Sequence, residues 1–297
     1  MKKNEKKMVL FSLILLISIL FSVISILKDK SQSYQISSLP KVMILNIAGT
    51  IKFDTAEIIL AQIEKISEDP SIVGVIIKID SPGGTVGASQ EIYSALLELR
   101  KQNKKVVVSM GDIAASGGYY IASASEVIVA NPGTLTGSIG VIISSINFKD
   151  LLDKIGVKAV SITSGAMKDV LSPYRNMKPE EEKYIKEMVM NTYQQFFNAV
   201  LTGRKDKITE EELKKIADGR IFTGEIAKEK GLVDVLGSLN TAKEEMKKLL
   251  SIPQVEFIYP KDAFFKSLFK EIMKEESALS LLSRLNLPVM YYYGVFQ

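Results

Sequence analysis

The chain has 297 residues and a formal net charge of +4, and it contains no histidine, cysteine or tryptophan. These absences exclude a Ser-His-Asp triad, a cysteine nucleophile, a disulfide framework, a zinc finger and an iron–sulfur site. Covalent catalysis would have to use Ser, Thr, Lys or a carboxylate. The small, dispersed charge gives no indication of a nucleic-acid partner, and the 46% of hydrophobic residues suits one globular domain plus a membrane segment.

The N-terminal region predicts a membrane anchor. Residues 8–27 form a run of twenty residues without a charge, about the length that crosses roughly 30 Å of hydrocarbon. Lysines at positions 2, 3, 6 and 7 precede the run and favour a cytoplasmic tail over residues 1–7, with the rest of the chain outside the cytoplasm. A cleaved signal peptide is the alternative, but the apolar run exceeds the usual length of about 7–15 residues and no A-x-A-like site follows.

After a polar linker at 28–40, strand and helix patterns alternate. Buried strands are predicted at 42–51, 73–80, 104–111 and 126–131, and helices at 55–66 and 87–102. Apolar strands separated by helices predict an α/β domain with a largely parallel sheet that is covered on both faces. A further strand is predicted at 158–163, followed by helices at 179–203, opened by Pro179, and at 209–217, opened by a capping-box pattern.

Two glycine-rich turns follow predicted strands, where ligands bind in open α/β sheets. The first contains Gly83 and Gly84, either of which could point its N–H group inward, although the turn also suits a plain strand-to-helix connection. The second presents Ser116 ahead of Gly117 at a predicted helix start, where backbone N–H groups could hold a developing oxyanion. A simple N-cap built from small residues is the alternative for this turn.

A nucleophilic serine needs a group that takes its proton. Without histidine, lysine is the natural candidate, provided that burial or nearby cations bring its pKa toward neutrality. Lys168 follows the predicted strand at 158–163 and lies among small and apolar residues, whereas most other lysines fall on solvated helix faces. A lysine in a surface loop is the alternative interpretation, and the sequence alone does not bring Lys168 to Ser116.

Several blocks of sequence together resemble the signal peptide peptidase A family of membrane serine proteases. The blocks are SMGDIAASGGYYIASAS, NPGTLTGSIGV and ITSGAMKDVLSPYRNM, with VIIKIDSPGG and ADGRIFTGEIAKEKGLVDVLG similar as well. The resemblance spans about residues 41–245 and indicates a single-copy, short-form member. It implies an α/β, crotonase/caseinolytic-protease-like fold behind the N-terminal transmembrane helix, with a protease domain at 41–250 and a C-terminal extension at 251–297 that carries no recognised motif.

The resemblance also implies a role for each of five residues. Ser116 matches the nucleophile and Lys168 the general base, and Ser138 matches a residue that hydrogen-bonds and orients the lysine. Gly83 matches an oxyanion-hole glycine, with the N–H group of Gly117 as its partner. The resemblance therefore implies acyl transfer by a Ser/Lys dyad.

The activity implied by the resemblance is that of a membrane-anchored endopeptidase that degrades leftover signal peptides and other apolar peptides. No metal or organic cofactor is implied, and the expected partners are the membrane and further copies of the chain, in a ring whose grooves are shared between neighbours. A crotonase-like acyl-coenzyme A enzyme and a catalytically inactive membrane scaffold are the alternatives. The C-terminal extension is expected to pack against its own domain or against a neighbouring subunit as an oligomer interface, with membrane-surface binding or occupation of the active-site groove by residues 288–297 as alternatives.

Overall fold

The computed structural model of the protein describes residues 39–260. The predicted anchor at 8–27 lies outside this range, as do residues 261–297 of the predicted C-terminal extension. Within residues 39–260, no helix combines the length and the apolar character needed to cross a bilayer. The described residues from Lys41 onward belong to one compact unit.

The described part of the chain alternates between strands and helices. Its strands are β1 Lys41–Ala48, β2 Ile72–Ser81, β3 Lys105–Ala115, β4 Val127–Ala130, β5 Leu135–Gly137, β6 Ile221–Thr223, β7 Val235–Leu236 and β8 Glu256–Ile258. Its helices are α1 Phe53–Glu68, α2 Val86–Lys101, α3 Gly117–Ala122, α4 Lys149–Lys154, α5 Pro179–Gly203, α6 Glu210–Ile216, α7 Gly224–Glu229 and α8 Leu239–Leu250. The predicted helix at 179–203 is confirmed at both ends, and Thr209 caps α6 with the predicted capping box.

The strands form one mixed sheet in the order β6-β5-β3-β2-β1-β8, with β4 paired to β3 and β7 paired to β4. Every pair is parallel except β5 with β6, which is antiparallel. The predicted α/β class and largely parallel sheet are therefore confirmed. Strand β8 lies beyond residue 250, where the sequence placed the end of the protease domain, so the sheet continues into the segment predicted as an extension.

Both faces of the sheet are buried. Successive side chains of a strand point to opposite faces, and residues on each face belong to a core cluster. Leu45 and Ile47 of β1 belong to a core cluster that includes the apolar residues of α1 and α2. Val42 and Ile44 of the same strand belong to a second cluster that contains Met246 of α8. The predicted coverage of both faces is confirmed.

Strand β3 determines where a site can form, because it pairs with two different strands along its length. Its middle residues, Val107 to Ser109, pair with β4, and its last residues, Ile113 to Ala115, pair with β5. It runs four residues beyond its predicted end at Gly111. The fork between β4 and β5 leaves the carboxyl end of β3 next to β2 and β5.

The prediction of a strand at 158–163 is wrong, since these residues adopt no regular structure. They lie in residues 141–178, which we call the connecting segment and which contains the short helix α4. Val160 is 82% exposed and Ile162 is 98% exposed. Alternating apolar residues are typical of a strand with one buried face, but in the described part of the chain no strand pairs with this segment.

Candidate active site

Ser116 occupies a strained turn between β3 and α3. Its backbone has φ +52° and ψ −120°, a combination that a non-glycine residue rarely adopts and that costs about 1–3 kcal/mol unless the surroundings enforce it. The surroundings do so, because Ser116 N donates to Gly137 O at 2.9 Å and Ser116 O accepts from Tyr120 N at 2.8 Å. A serine on such a strand-to-helix turn presents its hydroxyl beyond the sheet, as nucleophilic serines in hydrolases do.

A bulge in β3 directs the chain into this turn. The register with β2 shifts between Ile79, which pairs with Met110, and Ser81, which pairs with Ala114. The extra residues are bridged by Asp80, whose Oδ1 accepts from the N–H group of Ile113 at 3.2 Å. Asp80 therefore has a structural role in holding the bulge three residues before the serine.

Gly83 lies directly against the serine. A Cβ atom added to Gly83 would lie 2.8 Å from Ser116 Cβ and 2.9 Å from Gly117 N, so a side chain here would collide with the turn. The N–H group of Gly117 is in the first turn of α3, where N–H groups have no partner within the helix. The structure thus brings Ser116, Gly117 and Gly83 together, as an oxyanion site would require.

The N–H group of Gly83 is already engaged by a side chain that the sequence analysis missed. It donates to the buried hydroxyl of Ser81 at 3.1 Å. Its neighbour Gly84 is fixed by a parallel bridge to Ile51, where an added Cβ would lie 1.8 Å from the Ile51 carbonyl oxygen. A buried serine directly before Pro-Gly-Gly carries no pattern that would have identified this contact.

Ser138 lies beside Ser116 at the end of the neighbouring strand. Ala115 and Gly137 are register partners in β3 and β5, and each serine follows its partner directly. Neighbouring strands are about 4.8 Å apart, so the two serines share one edge of the sheet. Ser138 also has a positive φ of 51°, and its N–H group donates to Arg220 O at 2.8 Å.

Lys168 lies on an exposed turn of the connecting segment and not on the strand ends or turns that carry the other four residues. Its N–H group donates to Gly165 O at 3.1 Å, which closes the turn. Among the described residues, no hydrogen bond joins the Lys168 amine to Ser116 or Ser138. The structure therefore brings together four of the five predicted site residues and leaves the predicted base on a separate, exposed element.

The two tyrosines that follow the glycines after Ser116 are packing residues. Tyr119 is fully buried and its hydroxyl donates to Leu232 O at 2.8 Å. Burial raises the pKa of the Tyr119 phenol, which keeps it neutral. Tyr120 packs edge-on against Tyr93, with ring centroids 5.0 Å apart. Both tyrosines fix α3 and thereby the turn before it.

Known protein families match this chain over most of the described residues. The model of peptidase family S49 matches residues 98–252, which include Ser116, Ser138 and Lys168. The model of Clp protease matches residues 28–131, which include both glycine-rich turns. The mixed α/β sheet is thus a Clp protease-like fold.

Individual relatives agree with the family models. A protein named as a protease in Synechocystis sp. is 42% identical over 211 residues, covering 71% of this chain and 75% of that protein. A protein named as a signal peptide peptidase SppA in Enterococcus faecium is 37% identical over 252 residues, covering 79% and 72%. Protease 4 of Salmonella typhi is 37% identical over 214 residues, covering 72% of this chain and 34% of that protein. The chain therefore belongs to peptidase family S49, and its activity is that of a serine-type peptidase.

Proposed function

We propose that the protein is a membrane-anchored endopeptidase in which Ser116 is the nucleophile and Lys168 the general base. The observation that carries the proposal is the strained turn of Ser116, with Gly83 and Gly117 packed against it at the carboxyl end of the sheet. Backbone strain of this kind is maintained where the surroundings enforce it, and it clusters at reacting groups. Since the chain contains no histidine or cysteine, a serine–lysine pair is the simplest nucleophile and base that it can supply.

The proposed reaction is acyl transfer. The neutral amine of Lys168 accepts the hydroxyl proton of Ser116 as Oγ attacks the carbonyl carbon of a peptide bond. The N–H groups of Gly117 and Gly83 stabilise the oxyanion, which requires the Gly83 N–H group to exchange the Ser81 hydroxyl for the substrate oxygen. Lys168 then protonates the leaving amine, and water hydrolyses the acyl ester to release the second product and restore Ser116.

Ser138 is proposed to orient the lysine. Its position beside Ser116 at the end of β5 puts its hydroxyl on the edge of the sheet where the base has to act. We propose that Lys168 reaches the two serines in a homo-oligomer, because the connecting segment, which carries Lys168, has many exposed apolar side chains. They include Ile142 at 70% exposure, Val160 and Ile162, and apolar side chains that are exposed in an isolated chain are often covered in an assembly.

The proposed substrates are apolar peptides, including signal peptides left in the membrane after cleavage. A hydrophobic anchor at 8–27 would hold the catalytic domain beside such peptides, outside the cytoplasm. Membership of family S49 favours this activity over an acyl-coenzyme A enzyme or an inactive scaffold.

The test is the loss of each dyad member in the full-length protein. We expect Ser116→Ala and Lys168→Ala to assemble normally and to lower kcat/KM on a fluorogenic apolar peptide by at least about 1,000-fold, with the double variant no worse than either single one. Lys154→Ala, in the same segment, serves as the control. Activity within tenfold of wild type in either dyad variant would exclude that residue from its role.

A further inference from the structure

An arginine joins two carboxylates directly behind the turn that carries Lys168. Arg175 contacts Asp169 through Nε to Oδ2 at 2.9 Å and Nη2 to Oδ1 at 2.8 Å. It contacts Glu181 through Nη1 to Oε2 at 2.8 Å and Nη2 to Oε1 at 2.7 Å. Both carboxylates are thus held by paired, charge-assisted hydrogen bonds, the arrangement that gives the greatest geometric specificity. We call these three residues the arginine cluster.

Glu181 is the fixed end of the arginine cluster. Its side chain is 2% exposed, and its Oε2 also accepts at 2.9 Å from the N–H group of Lys178, the N-cap residue of α5. The hydrogen bonds from Arg175, followed by the one from Lys178, lower the pKa of Glu181 to about 2. The carboxylate therefore stays ionised, and keeps its hydrogen bonds from Arg175, at any pH at which a peptidase with an amine base would be active.

Asp169 is the end of the cluster next to the proposed base, since it follows Lys168 directly in the chain. Arg175 Nη2 also donates to the backbone carbonyl of Asp169 at 3.1 Å, so the arginine holds main chain as well as side chain. The residues on the other side of Lys168, from 158 to 167, are exposed and have no regular structure. The arginine cluster is thus the strongest polar attachment next to Lys168 in the described part of the chain.

We propose that Arg175, held by Glu181, is a positioning residue that fixes Asp169 and thereby the direction in which Lys168 reaches toward the nucleophile. This inference rests on the proposed role of Lys168 as the general base. It differs from a role in overall stability, because the cluster joins the connecting segment to the first turn of α5 and contributes nothing to the sheet. Misplacing a catalytic group by about 1 Å can lower a rate by about 100-fold.

The test is a double-mutant cycle between Arg175 and Lys168 in the full-length protein. The substrate is a p-nitrophenyl ester of an apolar peptide, which is reactive enough to give a measurable rate without the base. We expect Arg175→Met to lower kcat by about 100-fold with KM within about threefold. In the Lys168→Ala background, Arg175→Met should lower the rate no further, because Arg175 acts through Lys168. Lys214→Met, which removes an exposed ion pair with Glu210 on α6, is the control and should leave kcat unchanged.

The outcomes separate this inference from the proposed function. If Lys168→Ala strongly lowers kcat but Arg175→Met has normal kcat, the positioning role fails and the dyad stands. If Lys168→Ala keeps its activity, the dyad itself fails. An equal loss from Arg175→Met in both backgrounds would show that Arg175 acts independently of Lys168, and would overturn the inference.

A second variant covers the case in which Arg175→Met does not fold. Arg175→Lys keeps the positive charge but not the planar fork that contacts both carboxylates. We expect its kcat to lie at least about tenfold below that of wild type, with an unchanged melting temperature. Wild-type kcat in Arg175→Lys would mean that charge alone suffices, and would overturn the geometric role.

Discussion

The two halves of the proposed catalytic machinery are built in opposite ways. The turn of Ser116 is enclosed by strands and by glycines that have no space for a side chain, so its geometry is set by the core of a single chain. Lys168 lies on the connecting segment, whose apolar side chains face solvent and whose main attachment near the lysine is the arginine cluster. The comparison indicates that the turn of the proposed nucleophile is formed on folding, whereas the position of the proposed base depends on a separate element and on its contacts.

Two arginines sharpen this comparison, because the buried Arg204 and the partly exposed Arg175 pair with carboxylates in different regions. Arg204 is 2% exposed and its guanidinium contacts both carboxylate oxygens of Asp234 at 2.7 and 2.8 Å. Asp234 Oδ2 in turn accepts from Ile128 N in β4, so this pair belongs to the core. Arg175 belongs to the connecting segment instead.

We expect Arg204→Met to cause the largest loss of stability of the variants compared here. Removing the buried guanidinium leaves Asp234 with only the half-exposed amine of Lys207, 3.4 Å away, as a cationic partner, and should lower the free energy of unfolding by about 3 kcal/mol. Arg175→Met should lower it less while lowering activity more. Urea unfolding of both variants beside kcat measurements gives the comparison, and a reversal of the two stability losses would contradict the assignment of the two regions.

The glycines beside Ser116 give the next largest effect. An alanine at position 84 would put its Cβ 1.8 Å from the carbonyl oxygen of Ile51, and the backbone shift that this forces should destabilise the protein by about 3 kcal/mol. Gly87 is the matched control, because it lies three residues away in α2 and an added Cβ meets nothing within 4 Å. We expect Gly87→Ala to be neutral or to stabilise by up to about 1 kcal/mol.

Thermal or urea unfolding of both glycine variants decides this prediction. Equal stability of Gly84→Ala and Gly87→Ala would mean that the backbone beside Ser116 can shift at little cost in free energy. The turn of Ser116 would then not be the rigid half of the comparison.

The sequence was informative where local patterns and burial agree. Alternation and apolar runs predict the central strands because the sheet buries both faces, and Pro179 with its following glutamates marks the start of α5. The position of Ser116 between a strand and two glycines predicted its turn. Contacts between distant residues were out of reach: no pattern joins Ser81 to Gly83 N, and nothing in the spacing of Asp169, Arg175 and Glu181 shows that one guanidinium holds both carboxylates.

The wrong strand at 158–163 has a physical reason that the same comparison explains. Val160 and Ile162 alternate with polar residues, as in a strand with one buried face, yet both are almost wholly exposed. An alternating apolar pattern indicates which residues are buried in the functional form of a protein. It does not indicate whether the residues that cover them belong to the same chain or to a second copy. We therefore attribute the pattern to the homo-oligomer proposed above.

The smallest expected change in stability follows from this attribution. Ile162→Ser replaces a side chain that is 98% exposed, so it should change the free energy of unfolding of the isolated chain by no more than about 0.5 kcal/mol. The matched control is Ile66→Ser, at a fully buried position of α1, which should destabilise by several-fold more because it creates a cavity and buries a hydroxyl. In contrast, Ile162→Ser should weaken assembly, measured by sedimentation velocity over a range of concentrations, and activity should fall in parallel with the assembled fraction. If assembly and kcat are both unchanged in Ile162→Ser, the connecting segment is not an interface. Lys168 would then have to reach Ser116 within a single chain.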